Sequence, residues 1–169
     1  MEDVQRLAVR DPERLACLTQ TTLSVDDTRE IMDALKRRFP AIRLPRKDDI
    51  CYATQNRQNA VKQLTREADV LIVVGAPESS NSNRLVELGA KSGARAFMVQ
   101  TAAEIDPSWI AGARCVAVTA GASAPEVLVQ DVITRLRELG GADTIVDSLP
   151  PVDDGVVFQV PAELRTADA

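Results

Sequence analysis

Val70-Leu71-Ile72-Val73-Val74 is an unbroken aliphatic run, and it sets the key in which the rest of the chain is read. A run without alternation marks a strand covered on both faces, as in a parallel sheet. Ala96 to Val99 and Cys115 to Val118 repeat the pattern, and Leu15-Ala16-Cys17-Leu18-Thr19 reads as a further strand, with Cys17 and Cys115 inside buried runs. Between these runs the period changes to that of helices. Ser24-Val25-Asp26-Asp27 caps a helix whose Ile31, Met32, Leu35 and Phe39 share a face, whose Lys36, Arg37 and Arg38 suit its C-terminal dipole, and which Pro40 ends. A second helix follows Cys51 with Val61 and Leu64 inward, and two more segments lie near Asn83 to Lys91 and Ala102 to Gly112. The last helix places Val129, Val132, Ile133 and Leu136 at i, i+3, i+4 and i+7 and stops at Gly140-Gly141. Strand and helix in alternation predict an α/β fold with a parallel sheet and right-handed crossovers.

Composition narrows the function classes. The 169 residues are 45% hydrophobic, 27% charged and only 3% aromatic, which predicts a folded chain with an aliphatic core. A net charge of -5 gives no electrostatic footprint for nucleic acid or an anionic membrane, and no apolar run is long enough to span a bilayer. Three cysteines without framework spacing, and a start lacking the basic and apolar regions of a signal peptide, predict the cytoplasm. The absence of histidine removes Ser-His-Asp triads and histidine acid/base chemistry, and neither G-x-G-x-x-G, G-x-x-x-x-G-K-[ST] nor G-x-S-x-G occurs.

What remains conspicuous is the loop chemistry. Thr19-Gln20-Thr21-Thr22, Ser79-Ser80-Asn81-Ser82-Asn83 and Thr119-Ala120-Gly121-Ala122-Ser123 follow three of the strand runs. Ligands of parallel sheets gather at the carboxyl ends of the strands, where helix N-termini and hydroxyl or amide donors hold a phosphate without lysine or arginine. Each loop taken singly also reads as helix capping. Ser123-Ala124-Pro125-Glu126 has the form of a capping box, and Ser24 and Ser82 or Asn81 are ordinary caps. Cys51, ahead of the polar run Tyr52 to Gln58, is either a structural thiol or one ligand of a cofactor site completed from outside the chain, since no Cys-x-x-Cys pair accompanies it.

Four segments carry a resemblance: Thr19 to Thr28, Pro45 to Thr54, Ser79 to Leu85 and Thr119 to Pro125. In this order they are similar to the C-terminal half of the LytB-type 4-hydroxy-3-methylbut-2-enyl diphosphate reductases, iron–sulfur enzymes of the non-mevalonate isoprenoid route. The similarity runs to about Leu164. It implies reductive dehydroxylation of an allylic diphosphate to isopentenyl and dimethylallyl diphosphate at a [4Fe-4S] cluster held by three cysteines, with ferredoxin or flavodoxin as electron donor. By position Cys51 resembles the third cluster ligand. Thr21 is matched to the substrate hydroxyl, Ser79, Ser80, Asn81 and Ser123 to the diphosphate, and Thr54 to a further phosphate contact. The other two cysteines, the diphosphate-binding histidines and the proton-relaying glutamate belong to the family's N-terminal half and have no counterparts here. The expected organisation is a remnant of the middle α/β domain over residues 1–47, a third parallel-sheet αβα domain over 48–140, and a C-terminal arm over 141–169 with a short strand near Val156, Val157, Phe158 and Val160. Alternatives are a non-catalytic phosphate-binding module and a half-enzyme requiring a separate N-terminal chain.

Overall fold

A computed structural model describes residues 2–45 and 49–150. The charged connection at Arg46 to Asp48 and the arm from Pro151 onward, with its expected strand, lie outside the described residues. The elements run α1 (Glu2–Arg6), α2 (Val25–Arg38), α3 (Tyr52–Leu64), β1 (Val70–Val74), α4 (Ser80–Lys91), β2 (Arg95–Val99), a 3-10 turn (Ala102–Glu104), α5 (Pro107–Ile110), β3 (Val116–Ala120) and α6 (Glu126–Gly140).

The three strands form one parallel sheet in the order β2-β1-β3, with Val70 opposite both Arg95 and Val116 and Val74 opposite both Val99 and Ala120. Every β1 side chain is buried, so the aliphatic run is central and covered on both faces as expected. Leu71 and Val73 pack with Val61 of α3 and Leu85 of α4, while Val70, Ile72 and Val74 pack on the other face with Val132 and Leu136 of α6. Burying each such side chain stabilises by roughly 1.5–3 kcal/mol, several times the worth of an exposed ion pair. The result is an α/β/α sandwich.

Several local expectations are corrected. Leu15 to Thr19 forms no strand ladder but a single parallel bridge, Ala16 to Arg43, with Cys17 N–H on the Arg43 carbonyl and Arg43 N–H on that of Leu15. With one bridge and, among the described residues, no sheet on its other side, this segment leaves Leu18 85% exposed and Cys17 half-buried. Cys115 is exposed, because β3 begins one residue after it. Ile31 is exposed as well, and α2 turns Thr28 and Ala34 inward instead. The segment from Ala102 to Gly112 splits into the 3-10 turn and α5, since Pro107 starts a new helix capped by Asp106. Trp109 of α5 stacks on Phe97 of β2 with ring centroids 4.3 Å apart. Other signals hold: Ser24 Oγ accepts the Asp27 N–H at 3.2 Å, and Gly141 stops α6 at φ 86°.

Asp69 ties the amino ends of the strands together. Its carboxylate accepts the N–H groups of Arg114 at 2.8 Å and Cys115 at 3.1 Å, and its carbonyl accepts that of Arg95 at 3.1 Å. The two carboxylate bonds hold its pKa below the ordinary 3.8. A carboxyl whose pKa is depressed by folding contributes stability that is present above 3.8 and is lost as pH falls through the folded value. Asn in its place keeps one acceptor oxygen. In thermal unfolding from pH 6 down to about pH 2, Asp69→Asn should therefore lower Tm near neutrality and narrow the gap to the wild type on acidification. A gap that stays constant with pH would exclude this role for the carboxylate.

Candidate functional site

The carboxyl ends of β1 and β3 meet at two glycines. The Gly121 N–H donates to the Val74 carbonyl and the Gly75 N–H to that of Val99, both at 2.9 Å. Neither glycine has room for a side chain: a Cβ at Gly75 or Gly121 would stand 2.2 or 2.3 Å from Ser82 Oγ, and the Gly121 one also 3.8 Å from Ser79 Oγ. The β1–α4 loop is thus packed directly against the turn that leads from β3 to Ser123, and the two loops share one corner of the sheet.

Ser79 caps α4, and its Oγ accepts the Ser82 N–H at 3.2 Å. The expectation of Ser82 or Asn81 as cap is corrected, because the hydroxyl that reaches back to a first-turn N–H is the one three residues earlier. Asn83, also in this loop, donates its side-chain amide to the Pro77 carbonyl at 2.7 Å and so braces the turn. Ser80 is exposed, and helix geometry leaves its N–H and that of Asn81 without intrahelical acceptors. Asn81 itself is only 6% exposed, and its Oδ1 and Nδ2 are both buried without a hydrogen-bond partner. An unpaired buried group costs about 1–3 kcal/mol, so this amide is the sharpest sign of a ligand at the corner.

Ser123 does not form the expected capping box. Pro125 is the N-cap of α6 and supplies no side-chain bond, which places Ser123 outside the helix and exposed, while Glu126 instead accepts from Gln130 at 2.7 Å. The Ala124 N–H closes the turn on the Gly121 carbonyl at 3.1 Å.

Cys51 is the N-cap of α3 through its backbone alone, its carbonyl accepting from Thr54 at 2.9 Å and Gln55 at 3.0 Å. The thiol makes no cap bond and is exposed. Its N–H donates to the Thr21 carbonyl at 3.0 Å, which holds exposed Thr21 beside it although 30 residues separate them in sequence. Thr54 is 3% exposed on the first turn of α3. Arg57, two residues after Gln55, donates Nε to the Ala120 carbonyl at 3.1 Å and Nη1 to that of Ala53 at 3.2 Å. The start of α3, and Cys51 with it, is thereby fixed to the carboxyl edge of β3.

Two residues of this frame were not anticipated. Gln58 is 1% exposed, with Oε1 accepting the Val25 N–H at 3.0 Å and Nε2 donating to the Leu23 carbonyl at 2.8 Å. Arg57 is the other. A polar residue on the inner, Val61-bearing face of a helix was the available signal for Gln58, while nothing in the sequence marks which carbonyl Arg57 meets. Thr19 belongs to a separate feature, its N–H held by Asp49 at 2.9 Å.

The other cysteines stand apart. Burial, and then the Asp49 carboxylate, push the Cys17 thiol above its ordinary 9.0. Cys115 precedes β3, so the length of that strand, about 16 Å, separates it from the edge bearing Arg57 and Ser79. Among the described residues no group of three or more His, Cys, Asp or Glu could hold a metal ion. Nor, among them, is any helix long and apolar enough to cross a membrane.

A family model described as LytB protein matches residues 1–137. The 4-hydroxy-3-methylbut-2-enyl diphosphate reductase of Marinobacter nauticus is 56% identical over 163 residues, covering 96% of this chain and 51% of that protein. The reductase 2 of Burkholderia mallei is 58% identical over 169 residues, covering 100% and 51%. The solved E-1-hydroxy-2-methyl-but-2-enyl-4-diphosphate reductase of Plasmodium falciparum superposes with a TM-score of 0.74 at 34% identity, over 79% of this chain and 42% of that one. The chain spans about half the length of the curated relatives it matches. Matched by the LytB protein model over residues 1–137 and 58% identical along its whole length to a relative, this chain belongs to the LytB protein family.

Proposed function

We propose that this chain is the C-terminal share of a 4-hydroxy-3-methylbut-2-enyl diphosphate reductase, and that its own part of the work is to hold the allylic diphosphate and present one thiolate. The unpaired buried amide of Asn81 carries this reading. Ser79, Ser80, Asn81 and Ser123 would bind the diphosphate through hydroxyl, amide and free first-turn N–H groups, where the α4 macrodipole favours negative charge. Thr21, tied through its carbonyl to Cys51, would meet the substrate hydroxyl, and Thr54 would add a contact from the first turn of α3. The products would be isopentenyl and dimethylallyl diphosphate.

The iron–sulfur group of the family does not fit the described residues as a complete site. Cys51 suits one ligand of a [4Fe-4S] cluster, but Cys17 is a half-buried thiol and Cys115 lies at the far edge of the sheet. No redox step is therefore assigned to this chain alone. On this reading the remaining cluster ligands and the proton donor come from outside the residues present here, with ferredoxin or flavodoxin as the electron source. The cytoplasm is the proposed compartment, on the ground of three free cysteines without framework spacing.

Inorganic diphosphate should raise the Tm of the chain through a site with a dissociation constant on the order of millimolar, equivalent to about 4 kcal/mol. Asn81→Leu should abolish that shift while leaving the ligand-free Tm unchanged or higher, because an apolar side chain removes an unpaired buried amide. Equal diphosphate shifts in both proteins would assign the loops to capping alone.

After anaerobic purification and desalting, iron and sulfide analysis should find far fewer than four irons per chain, with weak or no visible absorption. A stoichiometric four would bring Cys17 and Cys115 in as ligands. Co-expression with the N-terminal half of a LytB relative should give product formation under a strong one-electron reductant, and Cys51→Ser should remove it. Equal turnover by both pairs would sink the assignment of Cys51.

A further inference from the structure

We infer that Ser82, a residue with no place in the proposed ligand set, is the positioning residue that makes the Ser79 hydroxyl a donor to the bound anion. The inference rests on the proposed diphosphate reading and deepens it. Ser82 is 1% exposed and wedged between the backbones of Gly75 and Gly121, each so near that a Cβ would fall within 2.3 Å of Ser82 Oγ. Sealed from water in this slot, the Ser82 hydroxyl donates to Ser79 Oγ at 3.0 Å. The Ser82 N–H donates to the same oxygen at 3.2 Å.

A serine hydroxyl has two acceptor lone pairs and one proton. Ser82 fills both lone pairs of Ser79 Oγ, which leaves the Ser79 proton to be given to an outside acceptor. Without Ser82 Oγ, the Ser79 hydroxyl would be free to rotate and accept from a ligand or from water as readily as donate. An anion offers only acceptors, so a hydroxyl locked as donor is matched to it. The two glycines are part of the device, since any side chain at either would displace Ser82 Oγ. The neighbouring unpaired amide of Asn81, on the same first turn, is independent evidence that this corner takes a ligand.

A double-mutant cycle read by calorimetric titration of inorganic diphosphate separates positioning from general support. Ser82→Ala should weaken binding about tenfold in the otherwise unchanged chain, as expected for a charge-assisted bond lost through misorientation. In a Ser79→Ala background it should change binding less than twofold, because the hydroxyl it orients is gone. Equal losses in the two backgrounds would show that Ser82 merely supports the loop, and no loss in either would show that it has no role; both overturn the inference while the diphosphate site stands. If the unchanged chain shows no saturable diphosphate binding, the underlying reading fails and takes this inference with it. Thermal unfolding of each variant confirms that binding is compared between folded proteins.

Discussion

Parallel pairing of β1 with a neighbour on each side is the constraint on which the rest depends. Once Val70 to Val74 is hydrogen-bonded to both β2 and β3 in parallel, all three strands must end on one edge, and the chain leaves that edge through loops entering helices. The aliphatic burial on both faces makes this pairing stable, and Asp69 aligns the opposite ends. Chemistry then accumulates on the carboxyl edge because that edge alone offers helix N-termini next to one another. The glycines at 75 and 121 bring the two loops closer than any pair of side-chain-bearing residues would allow.

The region before residue 45 depends on a different kind of contact. Its single bridge between Ala16 and Arg43 makes no sheet, and the ion pairs that reach across, Lys62 to Asp26 and Lys91 to Asp27, are partly exposed and worth about 0–1 kcal/mol each. Gln58 decides the matter. Removing its buried amide would strand the Val25 N–H and the Leu23 carbonyl, at about 1–3 kcal/mol per group. The turn it clamps follows directly on Thr21, and Thr21 in turn receives the Cys51 N–H. Placement of the thiol beside Thr21 is thus set by backbone hydrogen bonds anchored on α3, with the exposed ion pairs as a minor addition.

Legibility in the sequence followed the range of the interactions. Val70 to Val74 and α6 were readable because their burial is written in periodicity, and the Gly140-Gly141 stop because only a glycine suits a φ of 86°. Local capping was half readable: Ser24 caps as expected, but Ser79 and not Ser82 or Asn81 caps α4, and Pro125 disables the box at Ser123. The four segments that carried the family resemblance also carry the proposed site residues. Gln58 was signalled only as a polar residue on an inner helix face, and its partners, like those of Arg57 and the fit of the Ser82 wedge, were not readable, since each acts on a backbone group 30 or more residues away or on a fit between two loops. The strand at Leu15 to Thr19 failed for a related reason, because apolar residues make a strand only where a neighbour supplies a ladder.

The two halves of the proposed chemistry differ in how local they are. The proposed anion site would be built from groups within one corner: a cap hydroxyl, first-turn N–H groups, one amide and the turn after β3, all placed by the three-stranded sheet. Cluster ligation as proposed would not be local, because three cysteines would have to converge on one object and a single exposed thiol stands on that edge. On that proposal the sheet would position the phosphate end by itself, whereas the redox end would acquire geometry only when other ligands arrive at Cys51. That division is why the proposed function rests on the unpaired amide of Asn81 and not on the thiol.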